Sequence, residues 1–134
     1  LDRPRKNLGE AGDFVALEVN MRPAGGYTPD MINYAHSTDV YKIWADMVAF
    51  GRSDLAAAPG ERDEYYCVFA SRRDIYRYVH SHGEILGKYG EAMVMCERMP
   101  DIMSGAMGNQ MYTVRLKTEE EKDEFIRFVH EKIQ

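Results

Sequence analysis

The sequence predicts an α+β protein. Three short apolar runs, 65–70, 92–96 and 111–116, read as strands, and helical patterns separate or follow them. Helix-start signals stand at Thr28-Pro29-Asp30, Ser37-Thr38-Asp39, Ser71 and Thr118. Residues 64–134 therefore read as β-α-β-β-α, a small antiparallel or mixed sheet with helices on one face. A strand and a helical hairpin precede it.

Residues 1–12 carry no useful periodicity and read as a lead-in loop. A strand is expected over 13–21, centred on Phe14-Val15-Ala16-Leu17. Thr28 suits a cap, Pro29 the first helical position, and Asp30 the positive end of the helix dipole. A second helix follows from Asp39, with Val40, Ile43, Trp44, Met47 and Val48 at helical spacing and Gly51 as its stop. Residues 52–63, with Ala58-Pro59-Gly60 at their centre, form a breaker zone. They divide a first unit, 1–51, from a second, 64–134.

In the second unit Tyr65–Ala70 is a strand. Ser71 with Asp74 is read as the capped start of a helix burying Ile75, Tyr78 and Val79. Ile85-Leu86 extends it by a turn among Gly83, Gly87 and Gly90. Ala92–Cys96 is the next strand, Pro100–Asn109 a mobile Met- and Gly-rich loop, and Met111–Leu116 a third strand. Thr118 and Glu121 form a capping box for a last helix, with Phe125, Ile126, Val129 and Ile133 on its core face.

Composition narrows the function classes. The chain has 134 residues, 45% of them hydrophobic, enough for one core or two small ones. No apolar run approaches the roughly 20 residues that span a bilayer, and no signal peptide is visible. A net charge of −5 argues against nucleic acid, and Arg3/Arg5/Lys6 and Arg72/Arg73/Arg77 read as solvated faces. Cys67 and Cys96 read as buried thiols of a reducing, cytoplasmic protein, with a cross-strand disulfide as the lesser alternative. His80 and His82, two residues apart, face different ways on a helix and do not suggest zinc. Met99, Met103 and Met107 recur every four residues and could line a substrate pocket or an intersubunit contact.

The chemistry concentrates in Glu18-Val19-Asn20-Met21-Arg22-Pro23-Ala24-Gly25-Gly26. On a strand Glu18 and Asn20 share a face, which sets a carboxylate beside an amide oxygen, hard donors of the kind Mg²⁺ selects. Arg22 follows at the same parity. Pro23 ends regular pairing, and Gly25 and Gly26 let the backbone approach a ligand closely. Oxygen ligands, a fixed cation and bare glycines together suggest a phosphate-bearing ligand.

At these residues, and over about 13–50, the chain resembles the ATP-grasp superfamily: carboxylate–amine ligases and the ATP-binding domains of carbamoyl-phosphate synthetase and biotin carboxylase. A late strand in that family carries Glu-x-Asn. The resemblance implies that Glu18 and Asn20 bind the Mg²⁺ bridging the ATP phosphates. It implies that Arg22 steadies the transferred phosphoryl group and that Gly25 and Gly26 adjoin it. It also implies a reaction: a carboxylate is activated as an acyl phosphate and joined to an amine.

The family's phosphate-binding lysines, glycine-rich loop and adenine hinge lie before Glu-x-Asn. The resemblance therefore implies a C-terminal piece that works with an N-terminal part of the same enzyme, does not bind ATP tightly alone and does not turn over alone. The alternative is a non-catalytic α+β module for dimerisation or small-molecule binding, resting on the motif-free second half. In the isolated C-terminal piece, a half-sheet exposed where the other lobe would sit could pair with another copy as a homodimer.

Overall fold

The computed structural model describes residues 3–16, 24–55 and 63–133. They form an α+β fold with helices α1 (Thr28–His36) and α2 (Val40–Phe50), strand β1 (Tyr66–Arg72), helix α3 (His82–Tyr89), strand β2 (Met93–Arg98), helix α4 (Asp101–Met107), strand β3 (Gln110–Leu116) and helix α5 (Glu119–His130). The sheet is antiparallel in the order β1-β3-β2. The last strand of the chain is thus the central one, and it carries the most deeply buried residues.

One face of the sheet carries Val68 and Ala70 of β1, Tyr112, Val114 and Leu116 of β3, and Cys96 of β2. Ile85 and Tyr89 of α3 and Phe125 and Val129 of α5 close over it as the main core. Tyr89 meets Phe125 edge to face at 5.0 Å, the arrangement ring quadrupoles favour. Opposed residues of neighbouring strands share a face, so Phe69, Met95 and Thr113 point the other way, as do Glu97 and Met111. α1 packs on this second face. Its N-terminal neighbour Tyr27 reaches Glu97 on β2, and Ala35 C=O near its other end accepts from Tyr65 N–H, just before β1, at 2.8 Å. Met111 and Thr113 are fully buried there. Helices α3 and α5 of the second unit thus lie on one face of the sheet, and α1, from the first unit, adds a helix on the other.

Local signals hold where they cap helices. Asp39 accepts from Lys42 N–H at the start of α2, and Gly51 closes α2 at φ 70°. Thr118 and Glu121 form the capping box of α5. Phe125 and Val129 of that helix are buried. Ile126 and Ile133 are exposed, and Phe128 packs against the core instead.

Other expectations are corrected. Residues 13–16 are irregular and Phe14 is fully exposed: no described strand lies beside them to complete a ladder. Residues 17–21 of that expected strand lie outside the described residues. Tyr27, not Thr28, occupies the cap position of α1. Ser71 starts no helix: Ser71 and Arg72 extend β1 opposite Met111 and Gln110, and α3 begins ten residues later at the Ser81–Glu84 capping box. Residues 73–81 are a loop in which Ile75 and Val79 are exposed. The 100–109 loop contains α4, whose final carbonyls, Ser104 and Gly105, accept from the Arg73 guanidinium.

The 52–63 breaker zone falls largely on 56–62, outside the described residues. Across it the two halves touch directly, through α1 on β1.

Candidate functional site

Glu18, Asn20 and Arg22 lie outside the described residues. Gly25 and Gly26 lie within them, exposed, in the turn that delivers α1. Gly26 has φ 63°, a left-handed backbone that glycine adopts without steric cost, and nothing stands within 4 Å of where a Cβ would sit. The helix that follows has no side chain capping its first turn. Pro29 has no N–H, and no partner for the Thr28 or Asp30 N–H is found among the described residues at this positive end of the dipole. Such an end favours an anion. The Asp30 carboxylate accepts from Tyr41 Oη, 3.3 Å from each of its oxygens, which ties α2 to the same turn.

Tyr27 anchors the turn to the sheet. Its hydroxyl donates to Glu97 Oε2 at 3.5 Å and meets the buried Met99 Sδ at 3.9 Å. Burial, and then the Glu97 carboxylate beside it, raise the phenol pKa, so the hydroxyl remains a donor. This contact joins positions 70 apart in sequence, and no local pattern announces it. At the other end of α1, Arg115 of β3 reaches Ser37 Oγ and stacks 3.6 Å over the Tyr65 ring.

Among the described residues no group of three or more His, Cys, Asp or Glu side chains converges on a metal position. Three of the histidines have structural partners: His80 stacks on Phe128 and meets Glu131, His82 Nδ1 lies 2.9 Å from Tyr112 Oη, and His130 Nε2 lies 3.1 Å from Ser71 C=O. Cys67 and Cys96 are free, on strands separated by β3 and on opposite sheet faces, which leaves no cross-strand disulfide. Burial pushes the Cys67 thiol up to about 11 and raises Cys96 as well, so neither is an activated nucleophile. No helix among the described residues is long and apolar enough to cross a membrane.

An apolar groove of about 240 Å³ opens between α1 and α2, lined by Ala24, Pro29, Ile32, Val40, Trp44 and Met47 among others. Ala24 directly precedes the glycine pair, so groove and turn are neighbours. The methionine series does not line it: Met99 is buried beneath Tyr27, while Met103 and Met107 lie on α4. Set against models of protein families, curated proteins and solved structures, the chain matches none.

Proposed function

We propose that this chain supplies the metal- and phosphate-binding end of an ATP-grasp-type ligase. In that role Glu18 and Asn20 hold Mg²⁺, Arg22 steadies the transferred phosphoryl group, and the Gly25–Gly26 turn admits the phosphate chain. The observation that carries the proposal is the junction after the motif: an open glycine turn leading into an uncapped helix end, pinned to the sheet through Tyr27. The donor set fits the ion, since a carboxylate and an amide oxygen are the hard ligands Mg²⁺ prefers. Bound there, the metal would neutralise charge on the phosphates.

The chain's own residues do the rest of this work. Arg22 holds phosphate oxygens bidentately through its planar fork. The Thr28 and Asp30 N–H groups face developing negative charge without reorganising. A carboxylate substrate takes the γ-phosphoryl group of ATP and releases ADP. The amine then attacks the acyl carbon and expels phosphate. In this proposal the lysines, glycine-rich loop and adenine hinge are supplied by another lobe of the same enzyme.

Titration of Mg·ATP into the whole ligase tests the assignment. Glu18→Ala and Asn20→Ala should each weaken the Mg²⁺-dependent part of nucleotide binding by about tenfold or more, with unchanged melting. Undiminished affinity would refute the metal role. Micromolar Mg·ATP affinity in this chain alone would refute the division of the site between two lobes. A second reading, a non-catalytic docking or dimerisation module, draws support from the open α1–α2 groove.

A further inference from the structure

Four buried side-chain atoms have no hydrogen-bond partner among the described residues: Thr38 Oγ1, Tyr89 Oη, Thr113 Oγ1 and Arg115 Nε. Buried polar groups are almost always satisfied, so each unmet one calls for an explanation. Three of the four belong to one seam, where the end of α1 meets the second face of the sheet.

Both halves of the chain build this seam. β3 supplies Thr113 and Arg115, which share a face about 7 Å apart along the strand. Thr113 is fully buried, with Phe69 opposite it, and Arg115 is half-buried, with Cys67 opposite it. The junction of α1 and α2 supplies Ser37 and Thr38. One Nη of Arg115 donates to Ser37 Oγ, and the guanidinium stacks 3.6 Å over the Tyr65 ring. Tyr65 N–H is in turn tied to Ala35 C=O of α1. The guanidinium plane is therefore fixed while its Nε–H is unmet.

Charge separates the two candidate occupants. Water could meet the hydroxyls but brings no counter-charge. Arg115 forms no ion pair among the described residues, and Glu64, which precedes Tyr65, lies 3.9 Å from His36 instead. A cation drawn partly out of water favours an opposite charge. The planar arginine fork favours paired oxygens, and a threonine hydroxyl can donate to a further one.

We propose that this seam binds an oxyanion, a carboxylate or a phosphate group, held on the Arg115 fork with the Thr113 and Thr38 hydroxyls beside it. Such a ligand bridges the two halves of the chain, because its donors come from β3 and from the α1–α2 junction. The glycine turn is a separate place, at the other end of the nine-residue α1, about 13 Å away. The seam needs no ligase around it.

Thermal melts of the 134-residue chain in sodium phosphate, sodium acetate and, at matched ionic strength, sodium chloride test this. Acetate stands for a carboxylate and inorganic phosphate for a phosphate group; the anion with the lower half-saturation names the class. At ten times its dissociation constant that anion should raise the midpoint about 4 °C above chloride, and the rise should saturate. Arg115→Gln should abolish the saturable rise. Thr113→Val, close in shape, should raise the half-saturation about fivefold, and it decides the matter if Arg115→Gln does not fold. Phosphate gathered at the glycine turn would survive both substitutions. No saturable rise beyond chloride overturns the inference and leaves only water for the seam. So does a saturable rise that both variants retain undiminished, which places the anion elsewhere.

Discussion

Arg72→Met should destabilise the fold strongly, because Arg72 is a buried cation with no carboxylate partner among the described residues. Its Nε donates to Val129 C=O at 2.6 Å, one Nη to His80 C=O, and the other, weakly, to Phe128 C=O at 3.5 Å. The guanidinium also lies 4.4 Å over the Tyr78 ring. Phe128 and Val129 belong to the last turn of α5, where the dipole is negative, so the cation caps that helix end. Burial lowers its pKa, but an arginine stays charged in a protein. Methionine keeps much of the apolar stem and removes the donors.

Two strong charge-assisted bonds are worth about 1.5–3 kcal/mol each. Relief of the cation's desolvation offsets several kcal/mol of that sum. Carbonyls left without donors at the edge of the core bring the expected net loss to about 2–4 kcal/mol. For a chain of this length each kcal/mol moves the melting temperature by about 3 °C, so a fall of about 10 °C is expected. Thermal melts and urea titrations monitored by circular dichroism measure it. The control is Arg98→Met, which removes an exposed pair with Asp74 and should barely move the midpoint. A change below about 0.5 kcal/mol for Arg72→Met, the level of an ordinary surface substitution, would refute this account of the α5 terminus.

Gly108 sits buried at φ 85°, and a Cβ there would stand 2.6 Å from Ser71 Oγ and 3.1 Å from the Arg72 carbonyl. Gly108→Ala should therefore cost about 2–4 kcal/mol in urea unfolding, combining backbone strain with overpacking. With its thiol pushed up to about 11, Cys67 should react with iodoacetamide about a hundredfold more slowly in the folded chain than in urea. A rate equal in both states would contradict its burial. The Arg98 guanidinium holds the Asp74 carboxyl below its usual range, and Ser81 and Lys88 do the same for Glu84 and Glu124. Depressed carboxyls contribute stability that is complete above the ordinary carboxylate range and lost as pH falls through their lowered values. Because the Asp74 pair is exposed, Asp74→Asn should make the acid limb of unfolding titrations only slightly shallower than the parent's.

What the sequence by itself determined is local. Apolar runs mark the three strands, and in β1 and β3 they are rich in aromatic and β-branched residues, whose shape suits a half-buried pleated surface. Capping residues mark α2 and α5, because a helix end needs donors and acceptors within a few positions. The same local chemistry makes Glu18-x-Asn20-x-Arg22 and Gly25-Gly26 stand out as a ligand-binding pattern. Where two local patterns compete, tertiary pairing decides. Ser71 with Asp74 reads as a helix start, yet the capping box forms ten residues later, at Ser81 with Glu84. Hydrogen bonding to Gln110 and Met111 keeps Ser71 and Arg72 in the sheet, and so the helix waits for Ser81. Tertiary structure alone also laid α1 across the second face of the sheet, set Arg72 against the end of α5, and pinned the glycine turn through Tyr27 to Glu97. These contacts are invisible in the sequence because each joins groups far apart along the chain, and the energy that fixes them appears only when the sheet brings those groups together.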